Sequence, residues 1–235
     1  MGSLFYEMDG RRVDSDWRTL SIGENTAPTT EYLDLRKEIL CGLQFPAAWT
    51  AAGLTFEHQI PGLGNGTVTA AAVNVGDTVT VRSYTAPDNY QQATFTAAAA
   101  ENLAASQFNQ AAGNNATATS LAACINYATG IGMLSAAADA NAAVVTVTPV
   151  GADVVFNLTS SDAGRLAVAN PWRPVYDSEG DIVALTVVAR GFQMVQPADF
   201  TGGMAIRLLS GTSAVPVLQA DDRTIYAVVR RRFDS

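Results

Sequence analysis

The chain holds one histidine, His58. Any Ser-His-Asp relay, Cys-His pair or histidine-ligated zinc would have to be built on it. It sits in Glu57-His58-Gln59 at the end of a strand-like run, and no Gly-x-Ser-x-Gly turn exists to present a nucleophile. His58 therefore reads as an ordinary polar residue at a strand edge, and the chain is expected not to be an enzyme. The acidic run Asp177-Ser-Glu-Gly-Asp181 invites a calcium reading. An EF-hand loop needs glycine at its sixth position and a bidentate glutamate at its twelfth. Here glycine comes fourth and the twelfth residue is Val188, so a β-turn closing a hairpin is the better account. The 22 acids leave too many pairs to single out two carboxylates for glycoside cleavage. Gly62-x-Gly64-x-Gly66 has neither a following helix nor the Lys-Ser/Thr pair of a phosphate loop; it reads as a flexible joint. No cofactor and no metal are expected.

Other residues suggest contact rather than catalysis. Thirteen arginines stand beside a single lysine, Lys37. Arginine suits fixed, bidentate contacts at interfaces. Arg11, Arg12 and Trp17 near the start, and Arg230, Arg231 and Arg232 near the end, are the expected interface residues. The net charge of −8 disfavours non-specific binding to nucleic acid. Trp172 and Tyr176 offer an alternative, a stacking platform for a glycan, against the plainer reading that Trp172 packs a hinge. Cys41 and Cys124 fall in different predicted modules and are expected to be buried free thiols. Residues 1–20 carry Asp9, Asp14 and Asp16 and no apolar core, so no secretory signal is read and synthesis in a reducing cytoplasm is expected. The three Asn-x-Thr triplets carry no meaning in that setting. No run reaches the ~18 apolar residues of a membrane span.

These residues need elements to hold them. Residues 1–17 read as an arm that either frays or orders on a neighbouring subunit. Thr19–Ile22 and Glu31–Leu35 alternate as strands, and Ile39, Cys41, Leu43 and Phe45 share one face at period two. Pro46 ends that strand, and Leu54 begins the next. The segment Pro-Ala-x-aromatic-Thr-small-small occurs twice, around Trp49 and around Phe200, each time before an apolar strand. Trp49 and Phe200 are expected as plugs at equivalent corners of one sandwich. After residue 170, strands are read at Ile182–Arg190, Phe192–Val195, Ala205–Leu209 and Thr224–Arg230.

Composition changes at Pro61-Gly-Leu-Gly-Asn-Gly66. Residues 62–168 hold only Arg82 and Arg165 against six acids. Within them, strands are read at Val68–Val73, Asp77–Tyr84, Tyr90–Ala97, Ala142–Pro149 and Asp153–Leu158. The second and third form a hairpin around Ala86–Asn89. One helix is expected, capped by Asn115 or Thr117, with Leu121, Cys124, Ile125 and Ala128 on one face and Gly130 past its end. The strands before residue 60 are too few to bury a sheet alone, and so are those after 170. Together they give two packed sheets. The expected fold is thus mainly β: an antiparallel, jelly-roll or discoidin-like β-sandwich of residues 18–61 plus 170–235, interrupted by an inserted α+β module of residues 62–169. The flanks Phe56–Pro61 and Trp172–Tyr176 would be two arms of one hairpin.

The outer part resembles a family of small structural proteins of tailed bacteriophages and prophages. The resemblance is carried by Phe45-Pro-Ala-Ala-Trp-Thr-Ala-Ala-Gly-Leu-Thr-Phe56, Pro174-Val-Tyr-Asp-Ser-Glu-Gly-Asp181, Pro197-Ala-Asp-Phe-Thr-Gly-Gly-Met-Ala-Ile-Arg-Leu-Leu-Ser-Gly-Thr-Ser213 and Pro216-Val-Leu-Gln-Ala-Asp-Asp-Arg-Thr-Ile225. In that family a short hairpin normally follows Leu-Thr-Phe; here the inserted segment stands in its place. Thr119-Ser-Leu-Ala-Ala-Cys-Ile-Asn126 is similar to the helix of small β-α-β modules of phage virion proteins. The resemblance implies a virion component without enzymatic activity. Its partners would be major capsid or tail subunits and further copies of itself, with no membrane and no specific nucleic acid. The alternative is a receptor- or glycan-binding module of a tail tip or baseplate, facing a host surface glycan.

Overall fold

Alternating apolar and β-branched residues form most of the regular structure of the computed structural model. It describes residues 4–8, 11–86, 89–110, 113–128, 131, 134–139, 141–187, 190–195, 200 and 205–231. In chain order the first five strands are β1 (Leu4–Met8), β2 (Arg11–Ile22), β3 (Leu33–Asp34), β4 (Glu38–Gln44) and β5 (Gly53–Gln59). Then come β6 (Gly66–Ala70), β7 (Thr78–Ala86), β8 (Asn89–Ala98), β9 (Gln107–Asn109), the helix α1 (Asn114–Tyr127), β10 (Leu134–Asp139), β11 (Val144–Pro149), β12 (Val155–Ser160) and β13 (Leu166–Ala169). The last five are β14 (Arg173–Pro174), β15 (Ala184–Thr186), β16 (Phe192–Met194), β17 (Ala205–Ser210) and β18 (Arg223–Arg231). The chain divides into two compact units. One is built from Met1–Gln59 and Trp172–Ser235, the other from Ile60–Pro171.

The outer unit is a β-sandwich. One sheet runs β1-β2-β18-β4-β16; the other runs β14-β5-β17-β3, with β15 also pairing β5. Leu20, Ile22, Leu40, Leu43, Ile225, Ala227 and Val229 from the first sheet and Leu54, Phe56, Ile206 and Leu208 from the second form one buried cluster. The expected hairpin at the insertion point is present: β14 pairs with β5 through Arg173↔His58 and Pro174↔Glu57. Trp49 and Phe200 precede β5 and β17, and these two strands are neighbours. Their roles differ. Phe200 is buried against Phe56, with ring centroids 4.8 Å apart. Trp49 is half-buried beside Phe45, and its Nε1 donates to Ala52 O. The rest of the second copy, residues 196–199 and 201–204, lies outside the described residues.

Two expectations need correction here. Residues 11–17 are no separate arm: they continue into β2, which pairs along β18 from Ser15↔Arg230 to Ile22↔Arg223. And Ile39, Cys41, Leu43 and Phe45 do not share a face. Val228 lies opposite Gly42 but Val229 lies opposite Leu40, so Cys41 is an extra residue, a β-bulge. Before it the even residues Glu38 and Leu40 are buried, and after it the odd residues Leu43 and Phe45 are. Cys41 is half-exposed rather than buried.

The inserted unit holds two four-stranded sheets, β10-β11-β6-β13 and β12-β7-β8-β9. The β7–β8 hairpin is present. Strand β9 adds parallel to β8. The helix presents Leu121, Cys124 and Ile125 to a core that includes Val68, Val81, Phe95, Phe108, Val147 and Phe156. Gly113 rather than Asn115 or Thr117 starts it, while the Asn114 side chain accepts from Ala72 N, 2.9 Å away. Gly130 lies outside the described residues. Gly62 and Gly66 serve close packing rather than a loose joint. A Cβ on Gly66 would come within 2.7 Å of Leu158, and one on Gly62, at φ +73°, within 2.6 Å of the Ala152 backbone.

Candidate functional site

The sheet β1-β2-β18-β4-β16 has one face unlike that of a solvated sheet. Its inner face is the sandwich core. Its outer face is built in rows by the strand register. One row places Thr19, Tyr226, Gln44 and Phe192 side by side across β2, β18, β4 and β16; the next places Trp17, Val228, Gly42 and Met194. Trp17 is 37% exposed, Tyr226 46%, Phe192 47% and Met194 73%. Trp17 and Tyr226 meet edge to face at 6.5 Å. Phe192 covers Gly42 so closely that a Cβ there would lie 2.4 Å from its ring. Aromatic side chains span roughly 150–250 Å² each. The exposed parts of these four residues then sum to roughly 400 Å², at the scale of patches that mark interaction sites on single chains. Half-buried Ile39 and Cys41 and exposed Arg230 border them. Burial pushes the Cys41 thiol pKa up, against the opposing charge of Arg230.

The second sheet hides its charges instead. Glu57 and Arg207 face each other across β5 and β17. Arg207 Nε and Nη2 donate to Glu57 Oε2 at 2.8 and 2.7 Å. Ser213 Oγ donates to the other carboxylate oxygen at 2.7 Å. The guanidinium lies 4.6 Å from the centre of the Trp172 ring, an attractive cation–π geometry. Tyr32 adds its ring to Trp172 at 6.5 Å. Glu57, Arg207, Trp172 and Tyr32 are all buried. Close by in the same unit, fully buried Gln219 donates from Nε2 to Ser210 Oγ and accepts from Thr50 N and Arg223 Nε. Glu57 with Arg207 and Ser213, and Gln219 with its neighbours, satisfy one another and present no reactive atom to solvent, whereas the buried Trp172 Nε1 has no hydrogen-bond partner.

His58 lies within the sheet rather than at an edge, since β5 has β14 on one side and β17 on the other. Burial, and then the charge of Arg173, lower its pKa below the usual histidine value. Its Nδ1 is buried without a hydrogen-bond partner. The Asp177–Asp181 run closes a turn, as expected: the Asp177 carboxylate accepts from Glu179 N and Asp181 N, and Tyr176 bridges Ile182. Among the described residues no cluster of His, Cys, Asp or Glu is placed to hold a metal ion, and no helix is long and apolar enough to cross a membrane. In the inserted unit, Cys124 is buried, and its pKa is raised to about 11 by burial and by the charge of Glu101.

Of the residues singled out from sequence, Trp17 and Arg230 lie on the outer face. Arg231 is exposed at the end of β18 and sits 3.9 Å from Asp16. Arg11 and Arg12 lie in β2, with side chains outside the description; Arg232 lies outside the described residues. Trp172 is 6% exposed and Tyr176 55%. With Trp172 buried under Arg207, the pair offers no stacking platform. Sequence reasoning missed Tyr226, Phe192 and Met194, because β18 reads Ile-Tyr-Ala-Val-Val, apolar on both faces. A signal for the buried pair was present: Arg207 and Glu57 each interrupt an apolar run. A shallow groove of about 530 Å³ by Trp49, Gly53, Thr186 and Val187 has no ionisable group in its lining. No family model matches the chain, nor does any curated protein or solved structure.

Proposed function

We propose that this chain is a non-enzymatic structural component of a tailed-phage virion, an accessory protein that docks on the capsid or tail and assembles with copies of itself. The observation that carries the reading is the exposed apolar outer face of the five-stranded sheet. A protein that works by shape needs a contact surface and no reactive centre, and the polar groups of the sandwich are spent on holding it together. The motifs shared with small phage structural proteins supply the setting: Phe45–Phe56, the turn Asp177–Asp181, and the run into β17. The glycan-binding reading loses its platform with the burial of Trp172, so Trp172→Ala would report on stability.

The test is the protein's position and copy number in an electron-microscopy map of the intact particle. The expected result is ordered density at a copy number matching head or tail symmetry, with the apolar sheet face covered. A protein absent from purified particles, or one that binds no particle component, would overturn the proposal.

A further inference from the structure

The outer sheet face is also organised along its strands, in a way that points to what covers it. Strand β18 is preceded by Asp221 and Asp222, with exposed Glu24 beside them: Glu24 N donates to Asp222 Oδ1 at 2.8 Å. Its far end carries exposed Arg230 on this face, while Arg231, one residue on, alternates to the other side, 3.9 Å from Asp16. Asp221 is partly used within the chain by Arg223 at 3.1 Å. Tyr226 stands midway between Asp222 and Arg230, four residues from each. At about 3.3 Å per residue each charge lies about 13 Å from the tyrosine. The face is therefore acidic at one end, basic at the other, and apolar between.

Such a surface is complementary to itself. We infer that a second copy of this chain packs face to face on it, about a two-fold axis that lies in the contact plane, runs across the strands and passes by Tyr226. That operation lays β18 over β18 in the opposite direction. Tyr226 then meets Tyr226, Phe192 meets Phe192, and Arg230 of each copy stands over Asp222 of the other. An axis along the strands would stack like charges instead and is disfavoured. The size fits. The roughly 400 Å² of exposed apolar side chain, enlarged by half-buried Val228, Ile39, Thr19 and Thr224, fits a small interface of up to about 600 Å² per partner. An isologous contact closes after two copies and leaves no open surface to polymerise. This deepens the assembly reading above and rests on it for treating the face as an interface.

The experiment is sedimentation velocity on the full chain over a range of concentration, for wild type, Tyr226→Asp, Arg230→Asp, Asp222→Arg and the double variant Arg230→Asp/Asp222→Arg. Circular dichroism checks that each is folded; Arg230→Asp alters only an exposed strand end, so it keeps the test valid should Tyr226→Asp misfold or Asp222→Arg loosen the Glu24 turn. Wild type is expected to reach twice the monomer mass and Tyr226→Asp to stay monomeric. Each single charge reversal should weaken the dimer by about tenfold or more, or about 1.4 kcal/mol, and the double variant should recover most of that loss. A wild type that is monomeric at about 100 µM, where even a weak interface of this size associates, would overturn the inference. So would a dimer that no variant weakens, or a double variant no better than the singles. The readout involves no particle, so a failed dimer and a failed virion assignment are told apart.

Discussion

The outer faces of the two units are built on the same strand geometry and carry opposite chemistry. On the inserted unit, the face of β12-β7-β8-β9 shows Thr159, Thr80 and Thr94 in one row and Asn157, Arg82 and Gln92 in the next. Thr80 and Thr94 hydroxyls bond at 2.9 Å, and Arg82 binds Gln92 Oε1 through Nε and Nη2 at 3.0 and 2.7 Å. Short polar side chains that bond across strands satisfy one another and stay compatible with water. The corresponding rows of the five-stranded sheet hold Tyr226 with Phe192, and Trp17 with Met194. The interiors differ as well: both units bury an apolar cluster, and the sandwich in addition buries the charged pair Glu57 and Arg207 and the amide of Gln219. The sandwich thus exposes apolar side chains at rows where the β12-β7-β8-β9 sheet exposes polar ones paired with each other.

The largest test of this contrast is internal. Arg207→Ala leaves Glu57 buried without its partner and should cost about 3–5 kcal/mol in chemical denaturation. Arg165→Ala, in the inserted unit, removes partly exposed pairs with Asp162 and Asp77 and should cost at most about 1 kcal/mol. Equal losses would break the contrast. A smaller effect is expected where a side chain pins backbone. Asn126 donates to Ala136 O and accepts from Ala136 N, both at 2.8 Å, so Asn126→Ala should cost about 1–3 kcal/mol. Gln219→Ala in the sandwich should fall in the same range; a much larger loss there would sharpen the claim that its polar interior organises the unit.

Acid should act first on the sandwich. The folded His58 is held below its ordinary value of 6.5 by burial and by Arg173. The unfolded chain therefore takes up its proton first. Stability is retained above pH 6.5 and declines as pH falls from there through the folded pKa. His58→Gln should flatten that part of the profile, which no other histidine can supply. Asp34 acts in a separate window. Burial acts to raise its pKa, but the hydrogen bonds and charge of Arg36, with the charge of Lys37, bring it below 3.8. Its contribution is lost only as pH falls below that value. A profile unchanged by His58→Gln would contradict the first assignment. The smallest effects are expected on the surfaces. Tyr226→Thr with Phe192→Thr should shift stability by less than about 0.5 kcal/mol while lowering self-association. Thr80→Val with Thr94→Val should change neither.

Much of the architecture was legible because it rests on strong local signals. The composition break at Pro61–Gly66 and the return at Trp172 located the insertion, and the pairing of β5 with β14 follows from it. The apolar face of α1 was legible at Leu121, Cys124 and Ile125. Strands β10 and β13 were not, because Leu134-Ser-Ala-Ala-Ala-Asp139 and Leu166-Ala-Val-Ala169 are alanine-rich and their strand form comes from pairing with β11 and β6. The face reading of β4 failed at Cys41, since a bulge is a property of two strands together and period-two counting sees one. The outer face was hidden for the same reason. Ile225 and Tyr226 look alike in an apolar run, and only the sandwich decides which of them meets solvent.

Hydroxyl-radical footprinting at low and high protein concentration tests the central claim most directly, because both units carry oxidisable reporters. Trp17, Tyr226 and Met194 lie on the sheet face; Tyr90 and Tyr127 lie on the inserted unit, 48% and 55% exposed. The first three are expected to become protected as concentration rises while Tyr90 and Tyr127 stay reactive. Equal oxidation of all five at every concentration, or protection confined to the inserted unit, would contradict it.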